Sequence, residues 1–361
     1  MSTWNPLLDA PTFPASGFSP LADRLAALLG TKNDVLLVQG EAIIALEAAA
    51  TSIARPGLSA LNIVTSPYGA WFGQWLRRGG VTVTDLVAEP AKPITAEAVE
   101  AALANPADIV ALVHAESASG ILNPLPEIAR LARAARALVV VDAVASFGGH
   151  ALDVDALGVD IAVVGPQKSL GGAAGVSALS GSPLAWQRIE EAGAPALSTL
   201  SLLDLKTGWL DKGRGALPGM PSPIEFHTLA ATLDRFESEG LAAVIARHTL
   251  AGAATRAALV ALGLAPWVTD TEASNLVTAA VLPEGIDRTK LLERLAPLDT
   301  GIAAGVGPGT ERLLRLNHTG PRARFETVLA NVVGLGGALR QLGFDARIGA
   351  ASEMISKAYA D

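Results

Sequence analysis

Two ionisable residues stand where an α/β protein would bind a ligand. Asp142 ends the apolar run 138-LVVVD-142, and Lys168 follows 161-IAVVG-165 after the turn Pro166-Gln167. A carboxylate within an apolar run needs a cationic or donating partner. The lysine is hemmed between a strand and 170-LGGAAG-175, which offers little else that is polar. A buried amine can form a Schiff base with an aldehyde such as pyridoxal. A carboxylate can keep the pyridine nitrogen protonated, so that the ring draws electrons. The lysine amine can then move an α-proton. Each residue alone has an ordinary explanation, a loop lysine or a satisfied buried acid, and a separation of 26 residues decides nothing by itself.

The elements that must hold these residues read as an alternating α/β chain. Apolar runs predict strands at 35–39, 60–64, 81–87, 109–115, 138–144, 161–165 and 175–180, with helical patterns between several of them, such as 95–104 and 124–137. This alternation predicts a mainly parallel sheet between helices, whose carboxyl-end edge collects ligands. The segment 183–222, rich in Pro and Gly, reads as irregular. Two long helices follow, at 223–239 and 241–262, and then an α+β segment: strands near 275–283, 300–306 and 311–318, helices near 287–296 and 323–342. The division expected is an arm at 1–17, a large domain at 18–240 and a smaller C-terminal domain at 241–361. At 37-LVQGEAIIALEAAA-50 a strand runs through Gly40 into a helix, with Glu41 and Ala42 at its start. Unpaired N–H groups there attract anions, yet this chain supplies its own acid.

Composition excludes several chemistries. The 361 residues contain no cysteine, which rules out thiol catalysis, disulfides and thiolate metal sites. The five histidines show no metal-ligand spacing, and a net charge of −8 without any basic segment argues against nucleic acid. No apolar run reaches the ~20 residues of a membrane span. The first residues lack a basic-then-apolar leader, so a cytoplasmic location is expected.

The stretch 139-VVVDAVASFGGHALDVDALGVDIAVVGPQKSL-170 resembles the core signature of the class V, fold-type I, pyridoxal-phosphate aminotransferases. It is similar in particular to their alanine–glyoxylate, serine–glyoxylate and pyridoxamine–pyruvate subgroups. The stretches 113-VHAESASGILNPL-125 and 312-RLLRLNHTG-320 match two further motifs in order. The resemblance implies a transaminase that uses pyridoxal 5′-phosphate, or takes pyridoxal or pyridoxamine as substrate in the same site. Its partners would be an amino donor and a small 2-oxo acid, pyruvate or glyoxylate, in a homodimer with shared sites. It also implies that Lys168 forms the Schiff base and Asp142 holds the ring nitrogen. Val144 would pack on one ring face, Ser117 near the ring hydroxyl or first-turn amides, and Gln167 near the phosphate end. Arg315 would clamp a carboxylate in a bidentate pair. The aromatic for the other ring face lies in 68-YGAWFGQW-75, with Tyr68 favoured and Phe72 second.

The chain departs from the family pattern at the phosphate cup. Glu41 stands where phosphate-dependent members carry Ser or Thr, and 216-ALPGMPSP-223 lacks the Tyr and Thr that the partner subunit usually gives. A carboxylate facing a phosphate dianion is strongly unfavourable, whereas a hydroxymethyl group can hydrogen-bond to it. The pyridoxamine–pyruvate subgroup has Gly-Glu at this position, which favours an unphosphorylated vitamer. That subgroup also carries a second arginine nine positions before the clamp, where this chain has Val306. Arg312 is three residues from Arg315, an odd separation that puts it on the other strand face. The usual G-P segment near the amino terminus is replaced by 10-APTFPASG-17. The alternatives are an ordinary phosphate-dependent transaminase for alanine, serine or glyoxylate, in which Glu41 is only a helix-start acid, a class V lyase, and a non-catalytic ligand-binding relative.

Overall fold

The computed structural model describes residues 10–193, 197–307 and 309–360. Residues 1–9 of the expected arm lie outside them. Seven strands form one sheet in the order β1 (Val35–Gln39), β7 (Val176–Gly181), β6 (Ile161–Val164), β5 (Leu138–Asp142), β4 (Ile109–Val113), β2 (Ser59–Val64) and β3 (Thr82–Val87). Strands β3, β2, β4, β5 and β6 are parallel, while β7 runs antiparallel to both β6 and β1. The sheet is therefore mainly parallel, as the alternation predicts. Its central strands, apart from Asp142 at the end of β5, are apolar and buried on both faces, as helix-covered strands must be.

Because β7 reverses direction, β1 points the same way as β5 and β6. The carboxyl ends of β1, β2, β4, β5 and β6 thus open on one edge. Gly40 makes the turn out of β1 at φ 139°, where a Cβ would stand 2.5 Å from Ile44 Cδ1, so the turn requires glycine. The helix α2 (Ala42–Ile53) begins directly after it. Upstream lies α1 (Phe18–Leu29), and after β2 comes α3 (Pro67–Arg78), capped by Ser66, whose hydroxyl accepts from Tyr68 N.

A second, antiparallel sheet has the order β10 (Ile302–Ala304), β11 (Leu313–Asn317), β9 (Val277–Val281) and β8 (Ala265–Pro266). The helices Pro223–Glu239 and Leu241–Leu262 lead into it. One buried apolar cluster runs from Phe18 to Val244 and another from Ala251 to Ile355. Three expectations fail. The segment 183–222 contains the helix Pro183–Ala192, started by Ser182, and a turn of helix at Leu202–Leu205. The helix Phe325–Gln341 is followed by another, Ile348–Ala358, where none was expected. Its Ala351 and Ile355 join the second cluster. The strands expected to 115 and 144 stop at Val113 and Asp142, because β4 and β5 pair only to that depth.

Candidate active site

Glu41, Ala42, Tyr68, Ser117, Asp142, Val144 and Lys168 line one cavity at the carboxyl edge of the large sheet. They reach it from five places: the α2 start, α3, the turn after β4, the end of β5, and the loop between β6 and β7. At the mouth, Lys168 Nζ lies 3.5 Å from Ser117 Oγ. Asp142 Oδ1 accepts from Val144 N at 3.0 Å, which fixes the carboxylate as the chain leaves β5. Burial pushes Asp142 up to about 6; the Val144 N–H and the Lys168 charge oppose the rise, and Glu41 adds to it. A cation at this carboxylate would restore its ionised form. Burial lowers the proton affinity of Lys168, against the attraction of Glu41 and Asp142 and with the help of Arg315. An amine with depressed proton affinity is a nucleophile nearer neutral pH.

Glu41 is the N-cap of α2. Its Oε2 accepts from Ile43 N at 2.8 Å, and its Oε1 accepts from Gln167 Nε2 at 2.5 Å. The helix end that attracts anions therefore already holds one. Gln167 adjoins the site through this bond and shares with Ser117, Lys168 and Arg315 a second, more polar cleft.

Arg315 extends from β11 to the large sheet's turn. Its Nε donates to Ala304 O at 2.8 Å and its Nη1 to Ser117 O at 2.9 Å, so two carbonyls orient the guanidinium and the remaining N–H groups are left for an anion. Arg312 donates from Nη2 to Leu282 O and lines neither of these cavities. Val306 puts no charge near the clamp. It lines an apolar cleft with Trp71 and Trp267. Phe72 is buried and lines a small void behind Tyr68, which leaves Tyr68 as the aromatic of the main cavity.

The motif 318-HTG-320 acts through the backbone. At Gly320, φ is 61°, and a Cβ would stand 2.7 Å from Lys168 O, so only glycine lets this turn lie against the lysine. His248, on the helix Leu241–Leu262, accepts Gly320 N–H at 2.8 Å.

Sequence reading missed Glu116. It is 1% exposed, lines the cavity and accepts from the Thr65 hydroxyl. The signal was present: an acid ending 109-IVALVHAE-116 is open to the same question as Asp142. Among the described residues no group of His, Asp or Glu is arranged to hold a metal. No described helix is long and apolar enough to cross a membrane.

The family described as aminotransferase class-V matches residues 18–320. The chain belongs to the class V aminotransferases. This class V aminotransferase is 34% identical over 339 residues to the pyridoxamine–pyruvate transaminase of Mesorhizobium japonicum, covering 92% of this chain and 85% of that protein. The crystal structure of the pyridoxamine–pyruvate aminotransferase from Mesorhizobium loti superposes with a TM-score of 0.91 at 30% identity, over 100% of this chain and 91% of that one. An alanine–glyoxylate aminotransferase from Callithrix jacchus is 32% identical over 82% of this chain and 73% of its own length. The likeness to these structures confirms the fold-type I architecture expected of a class V aminotransferase. The cavity fits a pyridoxal ring: a half-buried lysine, a strand-end carboxylate, and Tyr68 and Val144 on its walls.

Proposed function

We propose that this enzyme moves an amino group between an amine and a small 2-oxo acid, pyruvate or glyoxylate, with a B6 vitamer that carries no phosphate. The observation that carries this reading is Glu41, whose two oxygens occupy the α2 start and meet Gln167. Its charge repels a phosphate there, while its oxygens accept a hydrogen bond from a hydroxymethyl group. When bound, the vitamer supplies an electrophilic carbon and an electron-withdrawing ring.

This chain's residues do the rest. Lys168 Nζ, with lowered proton affinity, is the attacking amine and afterwards carries the proton between substrate positions. Asp142 holds a ring N–H, and that cation keeps the carboxylate ionised. Tyr68 and Val144 confine the ring, Ser117 offers its hydroxyl, and Ala42 closes the wall beside Glu41. Arg315 orients the substrate carboxylate with the N–H groups that Ala304 and Ser117 leave free.

The contact to Ile43 N is also what any N-cap acid makes, and it favours a second reading, an ordinary phosphate-dependent class V transaminase. Mixing the protein with pyridoxal and, separately, with pyridoxal 5′-phosphate, and recording the visible spectrum, separates the two. The first reading expects a response to pyridoxal; tight binding of the phosphate form with no response to pyridoxal refutes it. The reading includes a homodimer with shared sites and a cytoplasmic location. It also divides the chain at 18–240 and 241–361, close to where one apolar cluster ends at Val244 and the other begins at Ala251.

A further inference from the structure

Glu116 belongs to no step above, yet it is buried inside the same cavity. Its main chain is fixed on both sides: its N–H meets Ile121 O at 2.8 Å, and its carbonyl accepts Gly120 N–H at 2.9 Å. Its side chain ends a directed relay of hydrogen bonds. Ile94 N donates to Asn123 Oδ1 at 3.0 Å, which fixes the orientation of that buried amide. Asn123 Nδ2 then donates to Val113 O at 2.8 Å and to Thr65 Oγ1 at 2.9 Å. Since Thr65 Oγ1 is already an acceptor from Asn123, its own hydrogen points to Glu116 Oε1.

The relay makes Oε1 an acceptor; among the described residues Oε2 is buried with no hydrogen bond formed, although the Ser66 hydroxyl is near enough to act on the carboxyl. A full charge on such a group is strongly unfavourable, and a buried oxygen without a hydrogen bond, on a residue that lines the cavity, is open to a ligand contact. The titratable groups sharing the cavity are Glu41, Tyr68, Asp142 and Lys168. The amine is placed against Ser117 and is drawn to Glu41 and Asp142, and among the described residues no cation pairs with Glu116. His114, two residues away, is itself kept neutral by burial.

We infer that Glu116 is a neutral carboxylic acid whose Oε2–H donates a hydrogen bond to an oxygen of the heteroaromatic ligand, so that it selects that oxygen in its deprotonated form. The inference rests on the reading above that the cavity holds a pyridoxal-type ring, and needs nothing about its phosphate. Burial pushes Glu116 up to about 7, against the hydroxyls of Ser66 and Thr65, and the Asp142 charge adds to the rise. A donor of this kind is lost as pH rises through that value. Glutamine at this position keeps a donor that does not titrate.

The test uses pyridoxine, which has no aldehyde for Lys168, and in parallel pyridoxine 5′-phosphate. Affinity is measured by calorimetry from pH 6 to 8 for the wild type, Glu116→Gln and Glu116→Ala, with far-UV circular dichroism to verify folding. Ring titrations of the ligand are common to all three proteins and cancel. A donor at about 7 is about tenfold less populated at pH 8 than at pH 6, so the wild type is expected to lose about tenfold more affinity than Glu116→Gln over that range. Glu116→Ala is expected to bind more weakly than Glu116→Gln at every pH. The inference is overturned if wild-type affinity is flat or rises relative to Glu116→Gln, or if folded Glu116→Ala binds as well as Glu116→Gln. Binding of the phosphate form alone, with the same pH difference, would refute the unphosphorylated reading and leave Glu116 as assigned; binding of neither compound would overturn both.

Discussion

Acidification from pH 7 to pH 5 is expected to destabilise the folded chain, because four histidines are built in as neutral groups. His248 accepts Gly320 N–H at Nε2 and donates from Nδ1 to Val244 O at 2.7 Å, so its tautomer is fixed by the backbone. His150 Nε2 accepts Asn275 N–H at 3.1 Å. A proton on either acceptor nitrogen would confront a backbone N–H. Burial lowers His114 and His248 to about 4, and His150 and His318 to about 3, from 6.5. The unfolded chain takes up these four protons as pH falls through 6.5, while the folded chain does not. The stability they contribute is therefore present above 6.5 and lost below it. Each histidine then loses about 2 kcal/mol between pH 7 and pH 5, about 8 kcal/mol for the four. Asp142 and Glu116, raised to about 6 and about 7, work the other way, because the folded chain holds their protons more tightly. They return about 4 kcal/mol over the same interval, which leaves a net loss of about 4 kcal/mol. That is a large share of the ~5–15 kcal/mol typical of a folded protein. Urea unfolding of the ligand-free protein at both pH values measures it, and His248→Gln should shrink the difference by about 2 kcal/mol. Equal or greater stability at pH 5 would refute the claim that these rings are held neutral.

Further outcomes follow from the site. Lys168→Ala should abolish the visible band formed with pyridoxal; a surviving band would place the reactive amine elsewhere. Arg315→Ala should raise the KM for the 2-oxo acid by about 10- to 100-fold, the loss of a charge-assisted pair, and an unchanged KM would move the clamp. Glu41→Ser should strengthen binding of pyridoxal 5′-phosphate in a fluorescence titration, and an unchanged or weaker affinity would show that Glu41 does not face the ligand. Gly320→Ala, with a Cβ 2.7 Å from Lys168 O and φ 61°, should destabilise by about 2–4 kcal/mol from strain and overpacking and slow borohydride trapping of pyridoxal on Lys168. Normal trapping and stability would mean the turn relaxes freely.

The parts of the fold that the sequence displays are those with a periodic or punctuated signal. The apolar runs of β4, β5 and β6 are buried on both faces, so every residue in them reports the environment. The helix Leu241–Leu262 ends at Gly263 in the left-handed region, where the sequence suggests. The helix Ile348–Ala358 was missed because only a few of its side chains are buried. At the site, Asp142 and Lys168 were visible as charges in apolar settings. Glu116 stands in the same kind of setting, but its role depends on Asn123 and Thr65, which lie 7 and 51 residues away and meet it only through the turn after β4 and the end of β2. The backbone contact between Gly320 and Lys168 is likewise invisible until β11 is placed against the large sheet.

The self-capped start of α2 bears on how long a ligand stays. A helix end that binds a phosphate anchors its cofactor through many turnovers, because the anchor takes no part in the chemistry. Here that anchorage is taken by a side chain of the protein, so retention falls to contacts with the ring and to Lys168, whose bond is made and broken by the reaction itself. A vitamer held in this way is free to depart once its carbon has exchanged its amino group. Under the proposed function, the lifetime of the complex then becomes a kinetic property of the catalytic cycle, and the vitamer is a reactant consumed and released like the 2-oxo acid.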